Sequence, residues 1–228
     1  MKRIKTISVL ITAAILSLAS LAEGAETVAV VLKVQGSVLV TSSGETSPKS
    51  VQRGSRLAEG DKLVTGLKSF VAFRFIDDAS LVRIGASSTC TIQGQKEANR
   101  IMKNIVVEAG TILTRITQQK GTFQVATPTS VASVKGTEFM TAYQQTRGSD
   151  YYCNQGSVEV SNNAGVVMMN AGYAVHVASK DAEPILRKMQ PGEMPSIEED
   201  LEEDELELEF ENDAGQKKYL RFKVKKTE

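Results

Sequence analysis

The sequence predicts an all-β protein: a short-stranded β-solenoid-like or two-sheet sandwich domain, with a C-terminal β-hairpin. Three observations carry this expectation. Residues 28–177 contain short runs of β-branched and aromatic residues, among them 28–32, 70–75, 105–107 and 158–160. Several of these runs alternate apolar and polar side chains with period two, as a half-buried strand does. The breaks between them are rich in Gly, Ser, Thr and Asn, and no window shows a helical apolar stripe.

The chain opens with Lys2, Arg3 and Lys5, followed by a largely apolar stretch from Ile7 to Leu21. Ser20-Leu21-Ala22 and Ala22-Glu23-Gly24 then fit a small-x-small cleavage rule. Residues 1–22 therefore read as a secretory signal peptide. The stretch is shorter than the roughly 20 residues a span requires. No later stretch is apolar enough to cross a bilayer, so no transmembrane segment is expected in the mature chain. The protein is expected to be exported: periplasmic first, with the cell surface or the medium as alternatives.

The 27 basic and 27 acidic residues cancel, which disfavours a nucleic-acid partner. The cancellation hides two opposed regions. Residues 24–192 hold 18 basic and 13 acidic residues, a net of +5, whereas residues 193–228 hold 6 and 13, a net of −7. One His and two Cys are too few for a zinc or iron–sulfur site, and no cofactor is expected. Cys90 and Cys153 are a candidate disulfide in an oxidising compartment. The bridge would restrict the unfolded chain by about 4 kcal/mol on the loop-entropy account. The alternative is two thiols on strands.

An internal echo runs through the β region. Gly36-Ser37-Val38, Gly110-Thr111-Ile112 and Gly156-Ser157-Val158 are each a glycine, a small hydroxyl residue and an alternating strand. Glycine reaches the positive φ of a sharp corner without strain. Stacked coils of unequal length and a sandwich with similar corners both fit this pattern.

Three blocks of residues resemble a known family. The first is Arg53-Gly54-Ser55-Arg56-Leu57-Ala58-Glu59-Gly60-Asp61-Lys62-Leu63-Val64-Thr65-Gly66, with a strand, an Asp turn and a strand after it up to Ile84. The second is Phe123-Gln124-Val125-Ala126-Thr127-Pro128, then Val131-Ala132-Ser133-Val134-Lys135-Gly136-Thr137-Glu138-Phe139. The third is Gln155-Gly156-Ser157-Val158-Glu159-Val160, with Ala171-Gly172-Tyr173 after it. Together they resemble the FecR-type extracytoplasmic domain over residues 28–178. Asp78-Ala79 stands where that family often has Asp-Gly. The resemblance implies an all-β, solenoid-like fold and a role in envelope signalling or protein contact. Here the export signal leads directly into the domain with no anti-sigma region ahead of it, so the family's relay to a sigma factor is not carried over. Gly60, Asp61, Thr65, Gly66, Phe123, Thr127, Pro128, Gly136, Thr137, Phe139 and Gly156 carry the signature. Their residue types point to structural work: Pro128 stiffens a turn, Thr137 can bond local backbone, and Phe123 and Phe139 are core anchors.

The β domain is expected to cover residues 26–180. Residues 181–204 read as a linker with Pro184, Pro191 and Pro195, running into an acidic stretch. Ten of the fourteen residues from Glu198 to Glu211 are acidic. Residues 205–226 read as a hairpin: Leu206, Leu208 and Phe210 alternate with Glu, and Leu220, Phe222 and Val224 alternate with Arg or Lys. Pairing Leu208 with Phe222 sets Glu209 opposite Arg221; parity leaves a two-residue slip open. An isolated hairpin is marginal in water, so its apolar face is expected to cover the domain's end or a partner's sheet edge.

No residues stand out as catalytic. His176, the sole His, alternates with Val175 and Val177 and reads as a surface strand residue. There is no Gly-x-Ser-x-Gly elbow and no metal-ligand spacing. The expectation is a non-enzymatic exported module that contacts another envelope protein or presents a scaffold surface. The alternatives are a sensor acting through a separate membrane protein, and a hydrolase with paired carboxylates.

Overall fold

A computed structural model describes residues 26–97, 100–195 and 197, and the backbone of 205–211 and 217–223. The expected signal peptide, residues 1–22, lies outside the described residues. In chain order the strands are β1 (Thr27–Gln35), β2 (Val38–Thr41), β3 (Lys49–Ser50), β4 (Arg56–Ala58), β5 (Lys62–Thr65), β6 (Phe70–Phe75), β7 (Leu81–Ile84), β8 (Thr89–Glu97), β9 (Arg100–Arg115) and β10 (Phe123–Ala126). They continue as β11 (Val131–Val134), β12 (Glu138–Gln144), β13 (Gly148–Gln155), β14 (Ser157–Ser161), β15 (Val166–Asn170), β16 (Tyr173–Val177), β17 (Ile185–Lys188), β18 (Glu205–Glu211) and β19 (Lys217–Lys223). The described residues include no helix, and the all-β expectation holds.

Strands β1 to β17 form one continuous hydrogen-bonded sheet, folded into two layers. Layer A runs β4-β1-β6-β7-β9-β12-β13-β16-β17. Layer B runs β3-β2-β5-β8-β9-β10-β11-β14-β15. Strand β9 belongs to both: its first part pairs with β8 and β10, and its last part, from Gly110, pairs with β7 and β12. Of the two expected architectures, the two-sheet sandwich is the one formed.

Alternation builds the core, because successive strand side chains point to opposite faces. On β6, Val71, Phe73 and Phe75 point inward, and on β10 so do Phe123 and Val125. Phe75 is the hinge of an aromatic chain, edge-on to Phe73 at 5.9 Å and to Phe123 in the facing layer at 5.8 Å. Such pairs contribute about 0.5–1.5 kcal/mol beyond their burial.

The chain changes layer at glycine corners. Gly36, Gly110 and Gly156, the three echo positions, have φ of 71°, 94° and 80°, and Gly136 is a fourth at 64°. The hydroxyl residues beside the corners tie them together. Ser37 N donates to Ser69 Oγ at 2.9 Å, Thr111 N to Ser88 Oγ at 3.0 Å, and Thr137 Oγ1 to Ser157 O at 3.0 Å. Gly110 has a second reason to lack a side chain: a Cβ there would lie 2.1 Å from Ser88 Oγ and 2.5 Å from Ser88 Cα.

One expectation is corrected and two open points are decided. The span 181–204 is not linker throughout, because β17 pairs with β16 and extends layer A: Ile185 and Leu186 resume the apolar pattern after Pro184. The hairpin takes the two-residue slip. Leu208 faces Leu220, Glu207 faces Arg221 and Glu209 faces Tyr219, leaving five residues for the turn, a length common for hairpins. Cys90 and Cys153 are not bridged; both are buried free thiols. Cys90 sits in layer B against Leu63 and Val107, while Cys153 sits in layer A against Phe139. Neither strand is the other's neighbour.

The Asp-Ala departure has a structural counterpart: Ala79 adopts φ of 61°, a conformation costing a non-glycine residue about 1–2 kcal/mol. Urea unfolding should therefore show Ala79→Gly more stable by about 0.5–1 kcal/mol. Gly110→Ala should lose about 3 kcal/mol or more through strain and backbone collision. Gly44→Ala, at φ of 78° but with open space around it, should lose only about 1–2 kcal/mol.

Candidate functional site

The signature residues are distributed over the turns and corners rather than gathered in a cleft. Asp61 is buried in the β4–β5 turn, where its Oδ2 accepts from Ala58 N at 2.9 Å. Beside it, Gly60 leaves room for Ser43, whose Cβ would lie 2.7 Å from an added methyl. Thr65 Oγ1 donates to Gly85 O at 2.6 Å and accepts from Ser88 N at 2.9 Å, joining two corners. Gly66 N donates to Ser37 O at 2.9 Å. Phe123 and Phe139 are buried in the core. At the β10–β11 turn, Pro128 is flanked by hydroxyls. Ser149 Oγ donates to Thr127 Oγ1 at 2.7 Å, Thr129 Oγ1 is 2.6 Å from Ser149 Oγ, and Ser130 Oγ is 2.9 Å from Tyr151 Oη. These bonds join the turn in layer B to β13 in layer A. Burial raises the Tyr151 phenol above its ordinary pKa despite the surrounding hydroxyls.

A buried ionic cluster lies at the β6–β7 turn, and the sequence reading had not found it. The Lys103 ammonium, 1% exposed, donates to Asp77 Oδ2 and Asp78 Oδ2 at 2.8 Å each, and to the carbonyls of Ile101 and Lys120 at 3.1 Å. It also lies 5.4 Å from the centre of the Phe75 ring. The carboxylates are held in turn by backbone: Ile101 N donates to Asp77, and Lys120 N and Ser80 N to Asp78. Burial pushes the Asp78 carboxyl up, but Lys103 and these N–H groups outweigh it and hold it below its usual range. Parity carried the signal: Lys103 lies between Ile101 and Ile105 at spacing two, so it must point inward. The cluster is a closed lock between turn and strand, not a carboxylate pair facing a cleft.

His176 Nδ1 is 2.8 Å from Asp150 Oδ1, its cross-strand neighbour on the outer face of layer A. Among the described residues no group of three or more His, Cys, Asp or Glu could hold a metal. Both thiols are poor nucleophiles: burial, with the Glu108 charge, pushes Cys90 up to about 12, and burial pushes Cys153 up to about 11. A groove of about 610 Å³ on the outside of layer B is lined by Ser43, Gln93, Gln95, Met102, Asn104 and Gln124, among others. Asn104 Nδ2 donates to Gln93 Oε1 at 2.7 Å. The groove offers mostly neutral hydrogen-bonding groups, with Glu59 and the buried Lys103 also in its lining.

The strongest surface feature is the open end of the layers, formed by β15 and β17. Among the described strands each pairs on one side only. Val166 is 63% exposed, Met168 51%, Ile185 60% and Leu186 43%. Val166 and Met168 lie on the outer face of layer B, Ile185 on the outer face of layer A and Leu186 on the core side, and an unpaired strand edge is a template for another strand.

Residues 61–159 match the family described as FecR protein. The match begins at Asp61 in the first signature block and ends within β14, so the matched segment covers the central strands of both layers. No curated protein matches the chain. Two crystal structures, each of a proposed anti-sigma factor from Parabacteroides distasonis, are similar at 17% identity and a TM-score of 0.47; the alignment covers 56% of this chain and 59% of theirs. This chain thus spans under two thirds of those proteins. Among the described residues no helix is long and apolar enough to cross a membrane.

Lys103→Met should cost about 3–5 kcal/mol in urea unfolding, because it strands two buried carboxylates. Asp78, with its folded pKa depressed, adds stability that is present above its unfolded pKa of about 4 and lost as pH falls through the folded value. Asp78→Asn should therefore flatten the loss of stability below about pH 4. A thiol reagent should find neither cysteine accessible in the native protein and both reactive in strong denaturant; a single bridge would leave both silent in each state.

Proposed function

We propose that this FecR-domain protein is an exported, non-enzymatic module that contacts another envelope protein by accepting an extended segment at the open end formed by β15 and β17. The observation that carries this reading is the exposure of Val166, Met168, Ile185 and Leu186 on two strands whose outer edges are unpaired among the described strands. An incoming strand would gain main-chain hydrogen bonds along one of these edges and cover the exposed apolar side chains of that strand, the general mode of strand addition. The signal-like N-terminus supports export. The signature residues act in this reading as scaffold: their side chains are spent on turns, corners and core, leaving the surface to set partner choice.

The test is photo-crosslinking in the producing cell from positions 168 and 185, with position 93 on the layer B groove as control. One envelope protein should be captured from the edge positions and not from position 93. The double change Ile185→Lys, Leu186→Lys should cut that capture about tenfold or more, since truncating central apolar contacts costs over about 1–2 kcal/mol, without moving the melting midpoint. Equal capture from all three positions, or capture indifferent to the double change, would overturn the proposal.

A further inference from the structure

Among the described residues Lys103 is the only buried lysine. Its side chain is 0% exposed, that of Asp78 0% and that of Asp77 6%. The ammonium touches both carboxylates and lies 5.4 Å from the centre of the Phe75 ring, which is itself packed edge-on against Phe73 and Phe123. An amine and a carboxylic acid in contact can condense to an amide. In water the ions resist this, because hydration stabilises both charges. Burial strips that hydration away, and charge in an apolar interior is costly. Condensation replaces an ammonium and a carboxylate by one neutral amide and expels a water. It is favoured at a dry contact, and this contact is dry.

The hydrogen bonds distinguish the two carboxylates. Both oxygens of Asp78 are held: Oδ1 accepts from Ser80 N, and Oδ2 from Lys120 N and Lys103 Nζ. On Asp77 only Oδ2 is held, by Ile101 N at 2.7 Å and Lys103 Nζ at 2.8 Å, while Oδ1 is buried with no hydrogen-bond partner. A buried acceptor left unpaired carries its full desolvation penalty. It is also the one oxygen whose departure breaks no hydrogen bond in the cluster. Ile101 N donates to the oxygen that would remain, where negative charge develops as nitrogen adds to the carbon.

We propose that Lys103 and Asp77 become joined by an intramolecular isopeptide bond, with Asp78 as the proton carrier. The step balances without an outside reagent. Asp78 Oδ2 takes a proton from the ammonium, and the freed lone pair on Nζ attacks Cγ of Asp77. The bond from Cγ to Oδ1 then breaks. The nitrogen gives up two protons in all, both reach Oδ1, and it leaves as water; Asp78 ends as the carboxylate it began as. Oδ2 becomes the amide oxygen and keeps its bond from Ile101 N. The link ties the β6–β7 turn to β9 across 26 positions. It forms once per chain, from the chain's own groups. It is independent of the proposed partner contact, which uses another part of the molecule.

The test is tryptic peptide mapping of the full chain isolated from the producing cell. Trypsin cuts after Arg74, Arg83, Arg100 and Arg115, but not after a lysine whose amine is acylated. The expected product is one branched peptide in which residues 75–83 are joined to residues 101–115. It is lighter than the two together by one water, and its fragment ions place the link between Asp77 and Lys103. Recovery of separate peptides 75–83, 101–103 and 104–115 in its place would overturn the proposal. So would a link at Asp78, or a water loss confined to 75–83, the mark of a cyclic imide at Asp78-Ala79. These outcomes are read on the unchanged chain, so no folding defect enters. Asp78→Asn tests the proton carrier: in a pulse-chase the branched peptide should form about 100-fold or more slowly, the ordinary contribution of a positioned acid–base group. Circular dichroism shows whether that variant folds; an undiminished rate in the folded variant would overturn the role of Asp78.

Discussion

The structure depends on one constraint: a single chain must turn from one layer to the other without opening a gap in the core. A strand can do so only where a residue accepts a backbone conformation closed to side chains and the next turn packs directly on it. Gly110 within β9 shows both conditions, with φ of 94° and Ser88 in the place a Cβ would occupy. The hydroxyls of Thr65, Ser69, Ser88 and Thr137 then bond the corner backbone, which is necessary because unpaired buried backbone groups are costly.

At the opposite side of the N-terminal half, the Lys103 cluster performs the corresponding task for turns. A buried ion pair adds little net stability over an apolar substitute. This one specifies which turn meets which strand, because Lys103 reaches both carboxylates of the β6–β7 turn and the carbonyl of Lys120 at once. The same cluster accounts for the tolerance of Ala79 at positive φ: Asp78 is committed to Ser80 N, Lys120 N and Lys103, so the turn is over-determined. Strained residues persist where their surroundings leave no alternative.

With corners, turns and core occupied by the signature residues, individuality is left to the ends and outer faces. The two faces differ in chemistry. Layer B presents amides and hydroxyls around its groove; in layer A Arg83 is buried, between Ala72 and Leu113 across the strands. The N-terminal end is closed by the buried Val51 and Leu57, while the C-terminal end leaves Ile185 and Leu186 in solvent.

By itself, the sequence determined the all-β class, the corner positions and the core faces, because period-two alternation and glycine-hydroxyl steps are local and act within a few residues. It exposed the corners at Gly36, Gly110 and Gly156 and the anchors Phe123 and Phe139. It left the cysteine bridge and the hairpin register open, since parity cannot distinguish a two-residue slip and spacing cannot say which strands are neighbours. Only the tertiary structure decided that β9 serves both layers, that Lys103 meets Asp77 and Asp78 across 25 or 26 positions, and that β17 extends the sheet and leaves its end open. Those are long-range pairings, and their energy depends on which segments the fold brings together.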